Sequence, residues 1–295
     1  LRLRPALRAV VNYFWPRNVF YAVLAVVCWT WFTPDLSRTA TFGIGWIAEI
    51  YARNAVLIIV INGILHLRLY IQRAQADRYK FSNRWPSSNN RTFLFNDQTK
   101  ENVFWTLLSG GLIWTAYEAI TLWLYANGLL PAMAFSATPV YFVLLMFAVP
   151  VLRTFHFYWA HRLTHWKPLY KVAHYVHHKN VNPGPWSGLS MHPVEHLVYF
   201  SGVLLHWVIA SHPLHAIFHM MHAGLAPGPD HAGFSKIEVG KDQKIKAANY
   251  FHYLHHRYFD CNYGGEAIPL DKWFGSFMDG SPESEVEIRA RRKRL

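Results

Sequence analysis

The sequence predicts an all-α fold: an integral-membrane helical bundle of about four spans plus a re-entrant or interfacial helical hairpin, carrying a cytoplasmic histidine-rich helical cap. Three observations predict it. Four apolar stretches approach the length of about 20 residues that a bilayer crossing needs. Period-two alternation, the mark of a half-buried strand, is weak throughout. Seventeen of the 18 histidines fall between His156 and His256, many at helical spacing.

The first apolar run covers Val19 to Phe32, extends back through Val10–Trp15, and is ended by Pro34. No small-residue cleavage pattern follows it, and the chain begins at Leu1, so further residues are expected upstream. The second run, Ile44 to Leu67, carries Glu49 and Arg53 four apart, a spacing that lets them pair on one helix face. The third, Val103 to Leu130, contains Glu118. The fourth, Val140 to Leu152, continues into the aromatic stretch Phe155–Trp159. Ser82–Asn96 is polar and rich in Asn and Ser, and reads as loop. Leu197–Ala226 is apolar enough to cross once, but a single crossing would split the histidine clusters between two sides. Ser211-His212-Pro213 interrupts it, because proline disfavours helix in the residue before it. Two short helices forming a hairpin are expected there, tolerated at membrane depth where protein covers them.

Charge orients these runs. Basic residues collect near the N-terminus (Arg2, Arg4, Arg8), between runs two and three (Arg68, Arg73, Arg78, Lys80, Arg84, Arg91, Lys100), and at the C-terminus (Arg289 to Arg294). The links Thr33–Gly43 and Pro131–Pro139 hold one arginine and no basic residue respectively. An even number of crossings puts all three basic segments on the cytoplasmic side. The net charge of +12, with 52% hydrophobic and 17% aromatic residues, then reads as membrane topology and not as nucleic-acid binding. Two cysteines, Cys28 and Cys261, are too few for a disulfide framework or a thiolate zinc site.

Three histidine clusters carry the chemistry: His161-Arg-Leu-Thr-His165, His174-Tyr-Val-His177-His178 and His252-Tyr-Leu-His255-His256. Residues three and four apart share a helix face, so each cluster can aim its rings one way. Buried imidazoles without partners are costly, and neutral imidazole is a ligand for zinc, copper, iron and nickel. Eight such rings exceed the coordination of one ion and imply two. An isolated histidine is ordinarily a packed or solvated residue, and one such cluster alone says little; three in one region do not share that explanation. Glu195 and Asp230 are candidate acceptors that orient ligand imidazoles, with helix capping or a surface position as the plain alternative. His156, His206, His212, His215, His219 and His222 read as structural, although His219 and His222, three apart, can also line a site.

The order of the three clusters resembles the fatty acid hydroxylase and sterol desaturase superfamily. Phe157-Tyr158-Trp159-Ala160 leads into the first cluster as in that family, and Pro183-Gly184-Pro185-Trp186 with His192-Pro193-Val194-Glu195 resembles the segment after its second. His231-Ala232-Gly233-Phe234 is similar to its solitary histidine element, and Asn262-Tyr263-Gly264 with Asp271-Lys272-Trp273-Phe274-Gly275 to its closing pattern. The resemblance spans about Pro150 to Gly280; the N-terminal half shares only the capacity to span a membrane. It implies His161, His165, His174, His177, His178, His231, His252, His255 and His256 as ligands of two iron ions, which zinc can replace in a purified sample. Relatives place a further histidine shortly after the solitary element. This chain has Ser235-Lys236-Ile237-Glu238 there, leaving His192 or His196 to substitute, or His192 to stand behind the ligands.

The resemblance also implies O2-dependent hydroxylation or desaturation of a lipid, such as a sterol or a fatty-acyl chain, with no catalytic residue beyond the ligands. The sequence has no dinucleotide fingerprint and no cysteine-ligated cluster. Electrons therefore come from an external donor, a ferredoxin or a b-type cytochrome with its reductase, and an acidic donor suits the basic face. The expected organisation is a membrane region over 1–150, a catalytic domain over 151–280 that includes the hairpin 197–226, and a basic tail over 281–295. Two rivals are a zinc-dependent membrane hydrolase and a non-enzymatic metal carrier. The first needs a base beside the metal, as in HExxH, and the nearest match, His192-Pro193-Val194-Glu195-His196, has a proline inside it. The second needs ligands along a transmembrane path, whereas the clusters flank the apolar runs.

Overall fold

A computed structural model describes residues 3–240 and 242–292. In chain order the helices are α1 (Leu3–Tyr13), α2 (Val19–Trp31), the short α3 (Leu36–Thr39), α4 (Ile44–His66), α5 (Gln98–Phe104), α6 (Leu112–Ala126) and α7 (Pro139–Thr164). There follow α8 (Lys167–Leu169), α9 (Tyr175–His178), α10 (Pro193–Phe200), α11 (Pro213–Leu225), α12 (Pro227–Asp230), α13 (Tyr250–Tyr258), α14 (Leu270–Trp273) and α15 (Pro282–Arg292). Among the described residues the strand content is one antiparallel pair, β1 (Lys236–Glu238) against β2 (Lys244–Lys246), with Ile237 opposite Ile245.

Among the described residues, four helical stretches are long and apolar enough to cross a membrane: Leu7–Trp31, Ile44–Ile71, Gln98–Ala126 and Pro139–Thr164. The shortest has 25 residues, a rise of about 38 Å at 1.5 Å per residue, against a hydrocarbon core of about 30 Å. Trp15 interrupts the first with ψ of 137°, as expected of the residue before Pro16. The third begins earlier than its apolar run, because Asp97 caps it: its side chain accepts from the Lys100 amide at 2.9 Å. It stops at Gly128, where φ is +65°. The third stretch is also the most interior, with half of its apolar window buried against 17–28% for the other three.

Contacts divide the chain into two units that alternate along the sequence. The first comprises Leu1–Asn54, Trp114–Arg153 and Phe200–Gly224. Its core includes Tyr21, Ala25, Ile50, Trp114, Leu122, Ile217 and Phe218. The apolar run 197–226 is two helical pieces separated at 208–212, where the Ser211 amide donates to Pro131 O at 3.0 Å. Every residue from Pro213 to Gly224 is buried, so α11 is a core helix on all faces. A Cβ on Gly224 would lie 2.3 Å from the Trp114 ring, so glycine is what lets the two meet.

The expected Glu49–Arg53 pair does not form. Glu49 takes Arg38 at 2.8 Å on an exposed face, while Arg53 turns inward to Glu118 at 2.5 Å, both nearly fully buried. The second Glu118 oxygen accepts from Trp114 Nε1 at 3.1 Å and Asn54 Nδ2 at 3.4 Å. The inward choice follows from cost: a charge inside an apolar bundle needs an opposite charge, and Glu118 on α6 would otherwise have none.

The second unit comprises Ala55–Ile113, Thr154–Tyr199 and Leu225–Leu295. Leu69, Tyr70, Ala232, Phe234 and Ile237 form one apolar cluster. Tyr253, Leu254, Tyr258, Cys261, Met278 and Ile288 form another, which packs α15 against α13. Both clusters flank the segments that carry the histidines.

Candidate metal centre

All nine histidines named as ligands lie in the second unit. They form two groups, and within each the offered nitrogens lie within 4.8 Å of one another. His161, His165, His174, His178 and His255 make the first group; His177, His231, His252 and His256 make the second. All are buried except His165, which is half-buried.

Local structure explains the convergence. His161 sits in the last turn of α7, and His165 just beyond it. His174 closes a π-helical turn, Tyr170–His174, that runs into α9, which bears His177 and His178. The third cluster lies on α13, whose first turn is capped by Asn249 Oδ1 accepting from the His252 amide at 3.1 Å. His231 follows α12 directly. Adjacent residues on a helix point about 100° apart. His178 and His255 thus serve the first group while His177 and His256 serve the second.

The hydrogen bonds fix several tautomers. A carbonyl only accepts, so Nδ1 of His161 donates to Tyr263 O (2.7 Å), Nδ1 of His255 to Cys261 O (2.6 Å) and Nδ1 of His231 to Pro227 O (2.8 Å). Nδ1 of His174 meets the carboxylate of Glu195 at 2.7 Å. Each neutral ring then presents a lone pair at Nε2.

Those nitrogens crowd together without hydrogen-bond logic. His165 Nε2 lies 3.0 Å from His174 Nε2, 3.1 Å from His178 Nε2 and 3.2 Å from His255 Nε2, and has at most one proton to share. His231 Nε2 lies 2.9 Å from His252 Nε2 and 3.1 Å from His256 Nε2. His161 Nε2 is buried without a partner. Converging buried lone pairs call for a Lewis acid. A metal bonded to imidazole nitrogen at about 2.1 Å sets right-angled neighbours about 3.0 Å apart, which is the spacing seen. The donor set therefore fits a metal in each group.

Electrostatics agree. Burial first, and neighbouring imidazoles second, hold His165, His174, His177, His178, His252, His255 and His256 well below the ordinary histidine value. His231 is lowered to about 4, by burial first. All stay neutral at physiological pH, the form that binds metal.

Other residues singled out in the sequence fall as follows. Glu195 touches His174 directly. Asp230 contributes its backbone carbonyl, which accepts from the Asn249 amide at 3.2 Å. His192 and His196 join neither group. His192 Nδ1 accepts from the Val194 amide at 3.2 Å, and His196 bridges Ser109 Oγ (2.8 Å) and Leu189 O (3.2 Å). In the first unit, His206 pairs with His219 at 3.2 Å and His222 with Asn18 at 2.7 Å.

Sequence reasoning gave no role to Asp271, which proves central to the loop behind His161. Its buried carboxylate accepts from the amides of Tyr263 and Gly264 and from Ser276 Oγ, all at 2.7–2.8 Å. That clamp delivers the Tyr263 carbonyl to His161. The signal was present in the closing Asn262-Tyr263-Gly264…Asp271 stretch, but not its meaning. The N-cap Asn249, immediately before a helical histidine cluster, was also readable.

Fold and site together define a helical protein with four helices able to cross a membrane and paired histidine groups able to hold metal. Over residues 143–276 the chain matches the model of the fatty acid hydroxylase family. It is 32% identical over 129 residues to a Delta(7)-sterol 5(6)-desaturase of Gibberella zeae, covering 43% of this chain and 39% of that one. It is 33% identical over 132 residues to a putative Delta(7)-sterol-C5(6)-desaturase of Arabidopsis thaliana (43% and 46%). A putative methylsterol monooxygenase of Dictyostelium discoideum is 28% identical over 128 residues (43% and 47%). The matched region thus spans about half or less of the length of each of these relatives. No solved structure matches the chain.

Proposed function

We propose that this chain is an integral-membrane oxidoreductase that uses O2 and external electrons to hydroxylate or desaturate an apolar lipid, with a sterol as the leading substrate class. Two iron ions, one in each histidine group, would be held by His161, His165, His174, His178 and His255 and by His177, His231, His252 and His256. The observation that carries this reading is the meeting of Nε2 atoms at 2.9–3.2 Å in a buried, all-imidazole setting. The names of the relatives supply the lipid class.

When bound, the ions would supply the oxidising power to attack an unactivated C–H bond. The protein's own groups do the rest. Carbonyls of Tyr263, Cys261 and Pro227 hold Nδ1 protons, and so hold the rings in ligating tautomers. Glu195 does the same for His174 and places negative charge behind a neutral ligand set. Burial keeps the imidazoles unprotonated and keeps water from the site. We place the catalytic part in 151–280, fed by a membrane region over 1–150, with the site on the cytoplasmic side beside the basic segments. There an acidic ferredoxin or b-type cytochrome finds complementary charge.

The test is lipid mass spectrometry of cells with and without the protein, combined with labelled O2 and metal analysis. Gain of one labelled oxygen, or loss of two hydrogens with O2 consumption, accompanied by two irons per chain, is expected. Labile zinc with no O2 consumption would overturn the reading in favour of a hydrolase or a metal carrier.

A further inference from the structure

The first half of the third apolar stretch is unlike a lipid-facing helix. Gln98, Glu101, Asn102, Thr106 and Ser109 follow one another at spacings of three, one, four and three residues, and all are buried. This polar stripe is matched, contact by contact, to the chain that follows the second histidine cluster. Glu101 takes the ammonium of Lys179. Gln98 Nε2 and Asn102 Nδ2 both donate to Asn180 Oδ1, each at 2.9 Å. Gln98 Nε2 also reaches Asn182 Oδ1 at 3.1 Å, and Thr106 Oγ1 donates to Trp186 O at 3.0 Å.

Asn180 is the joint. It is fully buried. Its side-chain oxygen is filled by the two donors from the stripe, which leaves its Nδ2 aimed the other way, at His177 O, at 3.2 Å. Its backbone amide donates to the same carbonyl at 3.2 Å. The last carbonyls of a helix lack intrahelical donors, and α9 is the final turn of a short helical segment, Lys167–His178, whose middle is π-helical; a segment of that length is marginal by itself. The end of α9 is therefore fixed from outside. That end carries His177 of one group and His178 of the other.

We propose that Asn180, gripped by Gln98 and Asn102, is a positioning residue for both metal sites, and that the polar stripe of the third apolar stretch exists to hold it. The proposal rests on the two-ion reading above. It predicts that an uncharged side chain touching no metal governs the affinity for both ions, because this carboxamide joins the last turn of α9 to the polar stripe.

The experiment is a ferrous-iron titration of the full-length, metal-stripped protein in lipid nanodiscs under anaerobic chelator competition, with thermal midpoints recorded alongside. Asn180→Ala should weaken binding at both sites by about ten- to a hundredfold, the usual effect of removing a group behind a ligand. Asn102→Leu, which deletes one of the two donors to Asn180, should fold readily and weaken both sites about threefold to tenfold. Thr121→Val, which deletes the acceptor of a half-buried hydrogen bond from Trp207 Nε1 in the other unit (3.0 Å), should lower the thermal midpoint and leave iron affinity alone. If both Asn variants bind two irons as tightly as wild type while melting earlier, as Thr121→Val does, the link is merely structural and the proposal falls. If Asn180→Ala does not fold, Asn102→Leu alone decides. Wild-type protein that takes up no iron would instead sink the two-ion reading itself, a different and separable outcome.

Discussion

Replacing Glu195 by leucine should strip the first histidine group of much of its grip on metal. The carboxylate meets His174 Nδ1 at 2.7 Å with both partners buried. Leucine fills similar space but cannot accept. Nδ1–H is then left unsatisfied, at a cost of about 1–3 kcal/mol. The ring can escape that cost by moving its proton to Nε2, which removes the lone pair the metal needs. Either route opposes ligation, and a loss of about tenfold to a hundredfold in affinity, about 1.4–2.8 kcal/mol, is expected. Glu195→Gln is the discriminating companion. Its amide oxygen can still accept from Nδ1–H, and its nitrogen takes the place of Oε2, which has no hydrogen-bond partner. It loses the charge and keeps the geometry, so its effect should be under tenfold. The assay is metal content and affinity by chelator competition, on protein whose thermal midpoint confirms folding. If leucine and glutamine behave alike, the contribution of Glu195 is charge and not tautomer control. If leucine binds metal as wild type does, the orienting role is wrong.

Three further outcomes follow from the same geometry. Asp271→Ala abandons three buried donors and should cost about 3 kcal/mol or more; thermal denaturation should show this, and iron affinity should fall as the Tyr263 carbonyl drifts from His161. Arg53→Ala or Glu118→Ala leaves an uncompensated buried charge and should cost about 3–5 kcal/mol, whereas Arg53→Met with Glu118→Leu should recover most of it; equal melting of single and double variants would contradict this. Acid should destabilise the metal-free protein. The folded-state values of the buried histidines are depressed, so stability is undiminished above the ordinary histidine value of about 6.5 and falls as pH drops beneath it, where the unfolded chain takes up protons that the folded site refuses. Unfolding midpoints measured from pH 7.5 to 5.5 should decline, and a flat profile would refute the burial argument.

What could be read from the sequence was local. His174, His177 and His178 share a helix face because of spacing alone, and the same holds for His252, His255 and His256. The break at His212-Pro213 and the four apolar helices were likewise matters of pattern and length. What could not be read was the choice among distant partners. Arg53 had Glu49 one turn away and took Glu118 instead, 65 positions on. Nothing in the pattern of α5 showed that Gln98 and Asn102 would meet Asn180, since a polar stripe inside an apolar run says only that something polar lies opposite. Asp271 stood in plain view, but three donors converging on one carboxylate are a property of a folded loop. Covalent neighbours announce themselves, whereas pairings across the chain depend on which burial costs remain once the helices have packed.

His177 beside His178, and His255 beside His256, place consecutive residues in different groups. Consecutive Cα atoms are tied at about 3.8 Å by a planar peptide that does not stretch. The spacing of the two histidine groups is thus constrained twice over by covalent bonds. A tilt of α9 or of α13 moves residues of both groups together, so the two groups shift as a pair.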